Sequence, residues 1–208
     1  MVICFAVSPA WGDSLTADTP DVRVGDMWNY RRLDGFTNEE KDQISIQVVE
    51  VSDTEITAKQ EWINTKGKAL QIFDRQWNFK DNGQGRWNPL RPEYKFPLSI
   101  GSDWTQPFQF TNFKSGETFS GLSKAKVIGS EQVSVPAGTY VSFITETQIE
   151  LRSTNTDVSE IKNTFKVWYA PKVNRAVRLE WQSFSNGRVR EKEVMELTKY
   201  SPIKSREK

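Results

Sequence analysis

Apolar and polar residues alternate with period two along almost the whole chain, and this is the feature that most restricts its fold. Successive side chains of a β-strand point to opposite faces, so every second residue shares one environment. In TYVSFITETQIELRS, Val141, Phe143, Thr145, Thr147, Ile149 and Leu151 form one row, with Glu146 and Glu150 opposite. Between Glu160 and Tyr169, Ile161, Asn163, Phe165, Val167 and Tyr169 alternate with Lys162, Thr164, Lys166 and Trp168. The three- and four-residue spacing of an amphipathic helix is not sustained anywhere.

Followed from the N-terminus, the alternation predicts strands at Asp26 to Leu33, Gln43 to Val51, Glu55 to Ile63 and Lys68 to Lys80. In the third of these, Ile56, Ala58, Gln60 and Trp62 fall on one side. Asp81-Asn82-Gly83 then supplies residues that accept positive φ, a strong turn signal and a poor match to a calcium loop. The pattern resumes at Trp104 to Phe113 and at Glu117 to Val135, which reads as two strands divided near Ile128-Gly129. Thr139 to Ser153 pairs across Thr154-Asn155-Thr156-Asp157 with the strand ending in Tyr169, followed by RAVRLEWQSF and GRVREKEVMELTKY around Ser185-Asn186-Gly187. The expected fold is all-β: a single antiparallel, mostly up-and-down curved sheet forming an open or closed barrel of about ten strands. Closure removes exposed sheet edges. The charges at Glu146, Glu150, Lys162, Lys166, Arg178 and Glu180 assign the outer face to water rather than lipid.

The chain of 208 residues is long enough for one such domain, expected over residues 13–208. Residues 1–12 read as a truncated secretory signal: Val2 to Val7 is apolar, and Ala10-Trp11-Gly12 fits a small-x-small cleavage site, although a basic n-region is missing. Cys4 follows Val2-Ile3 rather than the small residue a lipidation site wants. A periplasmic or secreted location follows as an expectation.

Composition narrows the chemistry. There is no histidine and Cys4 is the single cysteine, so Ser-His-Asp and Cys-His sites and His- or Cys-ligated zinc are excluded. No cofactor or metal is expected. With 28 Lys+Arg against 27 Asp+Glu the formal charge is +1, too small to hold a phosphate backbone, and nucleic acid is not an expected partner. The basic tail Lys204 to Lys208 reads as a solvated terminus.

Three segments, FPLSIGSDW (Phe96 to Trp104), VSVPAGTYVSF (Val133 to Phe143) and VWYAPKVNRAVRLEW, together resemble uncharacterised secreted bacterial β-proteins. Those families carry an FPL-x-x-G-x-x-W segment, a VPAGTF-like hairpin and a YWYAP-like turn. The resemblance covers roughly Phe96 to Tyr200, with a looser echo in VGDMWNY (Val24 to Tyr30). It implies an envelope location and a curved antiparallel sheet broadly similar to periplasmic lipoprotein-carrier half-barrels, and it implies no established activity. Asn174-Arg175 stands where the family pattern tends to have glycine. Asn also tolerates the left-handed conformation, so the turn is retained.

Function has to come from the aromatic residues and the one irregular segment. Asn82 to Asp103 contains Pro89, Pro92 and Pro97, which oppose regular pairing, and is longer than a connector needs. It reads either as a lid or as a plug built on Leu90, Phe96, Leu98 and Ile100. Of eight tryptophans, Trp28, Trp62, Trp77 and Trp181 sit within predicted strands and are assigned to the core. Trp87, Arg91, Tyr94 and Trp104, in and around the proline-rich segment, are the candidate ligand-binding residues. No catalytic residue is assigned, because a carboxylate-based hydrolase needs two carboxylates converging in a cleft and no such pair is evident. The expected function is non-catalytic: binding or carriage of an apolar or amphipathic small molecule, such as a lipid, or of an envelope protein. The alternatives are a carbohydrate-binding module with exposed aromatics and a structural component of an envelope assembly. Trp168, an indole on a charged face, is expected to pack on Pro171 or the adjoining turn at its strand end.

Overall fold

A computed structural model describes residues 15–153, 161–185 and 187–203. The signal-like residues 1–12, the connection Thr154 to Asp157, Asn186 and the tail from Lys204 lie outside the described residues. In chain order the strands are β1 (Thr16–Ala17), β2 (Met27–Asp34), β3 (Glu40–Val51), β4 (Glu55–Trp62), β5 (Gly67–Asp74), β6 (Phe79–Asp81) and β7 (Gly85–Arg91). They continue with β8 (Leu98–Ser99), β9 (Asp103–Asn112), β10 (Thr118–Val135), β11 (Gly138–Ser153), β12 (Ile161–Ala170), β13 (Arg175–Ser185) and β14 (Arg188–Ser201). A 3-10 turn, Pro171–Val173, joins β12 to β13.

Twelve strands close into one antiparallel barrel. Each pairs with its sequence neighbour, except that β7 steps over β8 to reach β9, and β14 returns to β2 to complete the ring. The expected all-β antiparallel barrel is therefore observed in its closed form. Three local departures change the strand count. Lys68 to Lys80 is not one strand: the Asp74 carboxylate accepts from the amides of Gln76 and Asn78 (2.8 and 2.9 Å), and Trp77 adopts φ 64°, which turns the chain between β5 and β6. The proline-rich segment is not wholly irregular either, because Gly85–Arg91 forms β7. Its pairing with β9 stops at Asn88, immediately before Pro89, which has no amide to donate. Conversely, Glu117 to Val135 is not divided. It forms the single strand β10, with the predicted break surviving as a bulge between Val127 and Gly129.

One end of the barrel is packed solid. Trp28, Leu98, Tyr169, Phe73 and Val177 are essentially inaccessible to solvent there, and the small β1–β8 sheet lies across them. Both indoles at this end are tied to the turn after β12. Trp28 Nε1 donates to the Val173 carbonyl and Trp77 Nε1 to the Asn174 carbonyl, each at 2.8 Å. Asn174 sits at φ 54°, the left-handed conformation that Asn tolerates, so the turn expected there is formed. Burial of such indoles contributes roughly 3–5 kcal/mol apiece by the cost of truncating them. One hydrogen bond contributes about 1 kcal/mol net. Packing therefore supplies the stability, and the hydrogen bonds set the orientation.

The proline-rich segment is the stopper of this end. Leu98 is buried, and Tyr94 and Phe96 pack on Tyr169 with ring centroids 5.1 and 5.2 Å away. The expected plug needs correcting at two positions: Ile100 is 53% exposed and Leu90 is only half-buried, so neither fills the interior. Trp168 is buried as expected, but its indole N–H donates to Glu131 (2.6 Å) and its ring lies under Lys166 and Arg178 (5.1 and 5.4 Å). Glu131 and Arg178 lie on β10 and β13 and Lys166 on its own strand β12, while Pro171 is exposed.

At the opposite end of β2, Asp42 is buried and accepts from the Gln43 and Asn64 amides and the Thr65 hydroxyl (2.8–2.9 Å). Burial opposes its ionisation, but these donors and nearby Arg32 outweigh burial and hold the carboxyl below its usual range. A depressed native value stabilises the fold above the unfolded-state pKa, about 3.9, and this contribution is lost as pH falls below that value and through the lower native one. Asp42→Asn is expected to cost about 1–3 kcal/mol at pH 7. In urea unfolding the difference from the wild type should shrink below about pH 3. A difference that does not change with pH would show that Asp42 acts only by shape.

Candidate functional site

A twelve-stranded ring is wider than side chains alone fill, since about eight strands already give an interior that side chains just occupy. Here the surplus remains as a cavity of about 270 Å³ inside the barrel, next to the packed end. Its walls are mainly apolar, with Ile46, Phe73, Val167, Leu179 and Met195 among them. It extends from Trp77 and Tyr94 beside the stopper to Trp181 and Glu193. Glu193 is paired in register with Asp34, the last residue of β2, so the cavity reaches toward the end opposite the stopper.

Alternation explains the apolar wall and also delivers polar groups into it. Gln60 and Gln71 occupy inward positions on β4 and β5, with Gln71 only 6% exposed. Four polar atoms of lining residues are buried and unpartnered: Gln71 Oε1, Arg91 Nε, Arg175 Nη1 and Trp181 Nε1. Buried polar groups are normally paired, and leaving one orphaned costs about 1–3 kcal/mol. Four around one void mark it as a place built for something other than packing.

The charges of the lining are arranged unequally. Arg91 is ion-paired with Glu93, and its guanidinium also lies over Phe79, Trp87 and Phe165 at 4.7–5.2 Å. Glu193 pairs with Arg32 at 3.2 Å, and burial raises its pKa against the pull of Arg32 and Lys41. Arg175 stacks on Trp77 at 4.0 Å and lies 5.5 Å from both Trp28 and Phe73. Tyr30 donates to the Ala176 carbonyl at 2.8 Å, and burial pushes its phenol up to about 12 although the charge of Arg175 favours the anion. Tyr94 is pushed well above the ordinary range by the same loss of water, reinforced by the Glu93 charge. Both phenols are thus neutral polar groups at physiological pH.

The four candidate ligand residues separate in the structure. Arg91 and Tyr94 line the cavity. Trp87 packs beside it against Phe110 and Phe79, with Phe108 and Ile149 in the same cluster. Trp104 is buried, and its indole N–H points to the Pro92 carbonyl at 3.3 Å, fastening the stopper to β9. Trp181, assigned to the core from sequence, is instead half-buried on the cavity wall. Arg175 and Gln71 were missed. Counting by twos from Trp181 through Leu179 and Val177 arrives at Arg175, so a charge at the head of an apolar row was the available signal. Among the described residues no group of His, Cys, Asp or Glu is arranged to hold a metal ion, and no helix is long and apolar enough to cross a membrane.

Solved structures share this architecture. The chain is similar to a candidate lipoprotein from Parabacteroides distasonis (TM-score 0.60, 17% identity), covering 89% of this chain and 99% of that one. It is also similar to a candidate exported protein with a YmcC-like fold from Bacteroides fragilis (TM-score 0.52, 14% identity), again over 89% and 99% of the two chains. At these identities the likeness is one of fold. No protein-family model and no curated protein sequence matches the chain.

The orphaned acceptor at Gln71 has a measurable consequence. Gln71→Leu, close in size, is expected to raise stability by about 1 kcal/mol, or about 2–4 °C in Tm. A fall in the calorimetric Tm would mean that Oε1 has a partner in solution.

Proposed function

We propose that this protein is a non-catalytic binding or carrier protein of the bacterial envelope that holds an apolar or amphipathic ligand inside its barrel. The observation that carries this reading is the cavity, mostly apolar yet rimmed by buried polar atoms without partners. Ligand pockets have this composition: an apolar body that supplies affinity and a few polar groups that set orientation. Its volume equals about nine water molecules at ~30 Å³ each, which suits a short acyl chain or one end of a longer one.

A non-catalytic role is supported by the state of the two carboxylates in the lining. Glu93 and Glu193 are each engaged by an arginine. The signal-like residues 1–12 and the fold shared with candidate exported proteins support a periplasmic or secreted location. A carbohydrate-binding surface would need exposed indoles. Among the described residues each tryptophan is buried or half-buried, which favours the interior over the surface as the binding site.

Native mass spectrometry of the protein purified from its own envelope should reveal a co-purifying adduct of lipid-like mass that is released on denaturation. A bare protein that instead carries a stoichiometric protein partner would replace the carrier reading with a structural role in an envelope assembly.

A further inference from the structure

Within that cavity, we infer that the ligand is an amphipath with an anionic head, and that Arg175 is the residue that receives the head. This inference rests on the carrier reading and adds the chemical class of the ligand. It starts from charge pairing. The other lining arginines have carboxylate partners: Arg91 has Glu93, and Arg178 has Glu180 and Glu196 at 2.9 and 2.7 Å. Among the described residues Arg175 has none, although one of its terminal nitrogens is buried. An unpaired guanidinium taken out of water is costly, and proteins keep such groups where a partner arrives from outside.

The setting of Arg175 determines which partner fits. Trp77, Trp28 and Phe73 surround the guanidinium, with Trp77 only 4.0 Å away, so ring contacts satisfy its π-face. Those contacts do nothing for the in-plane N–H groups. Nη1 is buried and remains without an acceptor. A planar fork held by stacking, with free donors along its edge, matches a carboxylate or a phosphate monoester. The other unpartnered atoms agree in polarity, since Arg91 Nε and Trp181 Nε1 are also donors and only Gln71 Oε1 is an acceptor. The cavity is short of acceptors, and the ligand has to bring them.

The position of Arg175 also orients the ligand. It is the first residue of β13, at the stoppered end, and Trp181 lies about six residues further along the same strand. At ~3.4 Å per residue this distance is roughly 20 Å, and Leu179 and Met195 line the way. The anionic head therefore lies deep against Arg175 and the chain points toward Glu193.

Isothermal titration of the purified protein, stripped of bound lipid by reversible extraction, with octanoate, octyl phosphate and octanol tests the assignment. Wild type should bind at least one of the two anions 10-fold or more tighter than octanol, and the preferred anion identifies the head as carboxylate or phosphate. Arg175→Met should abolish the preference while leaving octanol affinity within about 2-fold, and Arg175→Lys should retain part of it. The ligand-free Arg175→Met protein should melt at the same or a higher temperature, because a half-buried cation without a carboxylate partner has been removed. Equal binding of all three probes would overturn the role of Arg175 and leave the carrier reading standing. Binding of none of them would overturn both. Unchanged anion preference in Arg175→Met would also overturn the assignment.

Discussion

Closure of twelve strands is the constraint on which the rest of the molecule depends. A closed sheet has no edge, so every strand finds a partner on both sides, and the return of β14 to β2 is what achieves it. Closure at this strand number also encloses more space than inward side chains can fill. The protein deals with the surplus unevenly. At one end a proline-rich segment and a layer of aromatic rings occupy it. Further in, it is left as a cavity with polar groups around an apolar wall.

The packed end depends on a single turn. Pro171–Val173 and Asn174 bring two carbonyls inward, and Trp28 from β2 and Trp77 from the β5–β6 turn each donate to one of them. The same turn launches β13 and so places Arg175 against the rings of Trp28, Phe73 and Trp77. Fold and candidate site are therefore not separable here. The residues that seal the barrel also hold the one lining arginine that lacks a carboxylate partner among the described residues.

Particular elements show how far alternation carries. In β11, Phe143, Thr145, Thr147 and Ile149 are buried and Glu146 between them is exposed, as counting by twos requires, but Val141 of the same row is 50% exposed and Ile144 of the opposite row is buried, beside the bulge in β10. The count fails where local hydrogen bonds override periodicity. Lys68 to Lys80 has apolar residues throughout, yet Asp74 captures two following amides and folds the segment into two strands. Trp77, apolar and flanked by strand-like neighbours, is placed in that turn at positive φ. In β10 a small residue, Gly129, marks a real irregularity, but a bulge absorbs it without ending the strand.

The sequence by itself determined the β class, the antiparallel order, the hairpins at Asp81-Asn82-Gly83 and Pro136–Gly138, and the exclusion of histidine- and cysteine-based chemistry. These follow from period-two alternation, turn residues and composition, which are local or additive properties. Only the tertiary structure decided that the sheet closes with twelve strands and that Leu98 enters the interior while Ile100 does not. It also decided which polar residues face a common void. Gln71, Arg91 and the pair Arg175 and Trp181 come from three different strands, β5, β7 and β13, and nothing local to any one strand records the other two. What brings them together is the curvature of the sheet, and curvature is set by closure of the whole ring.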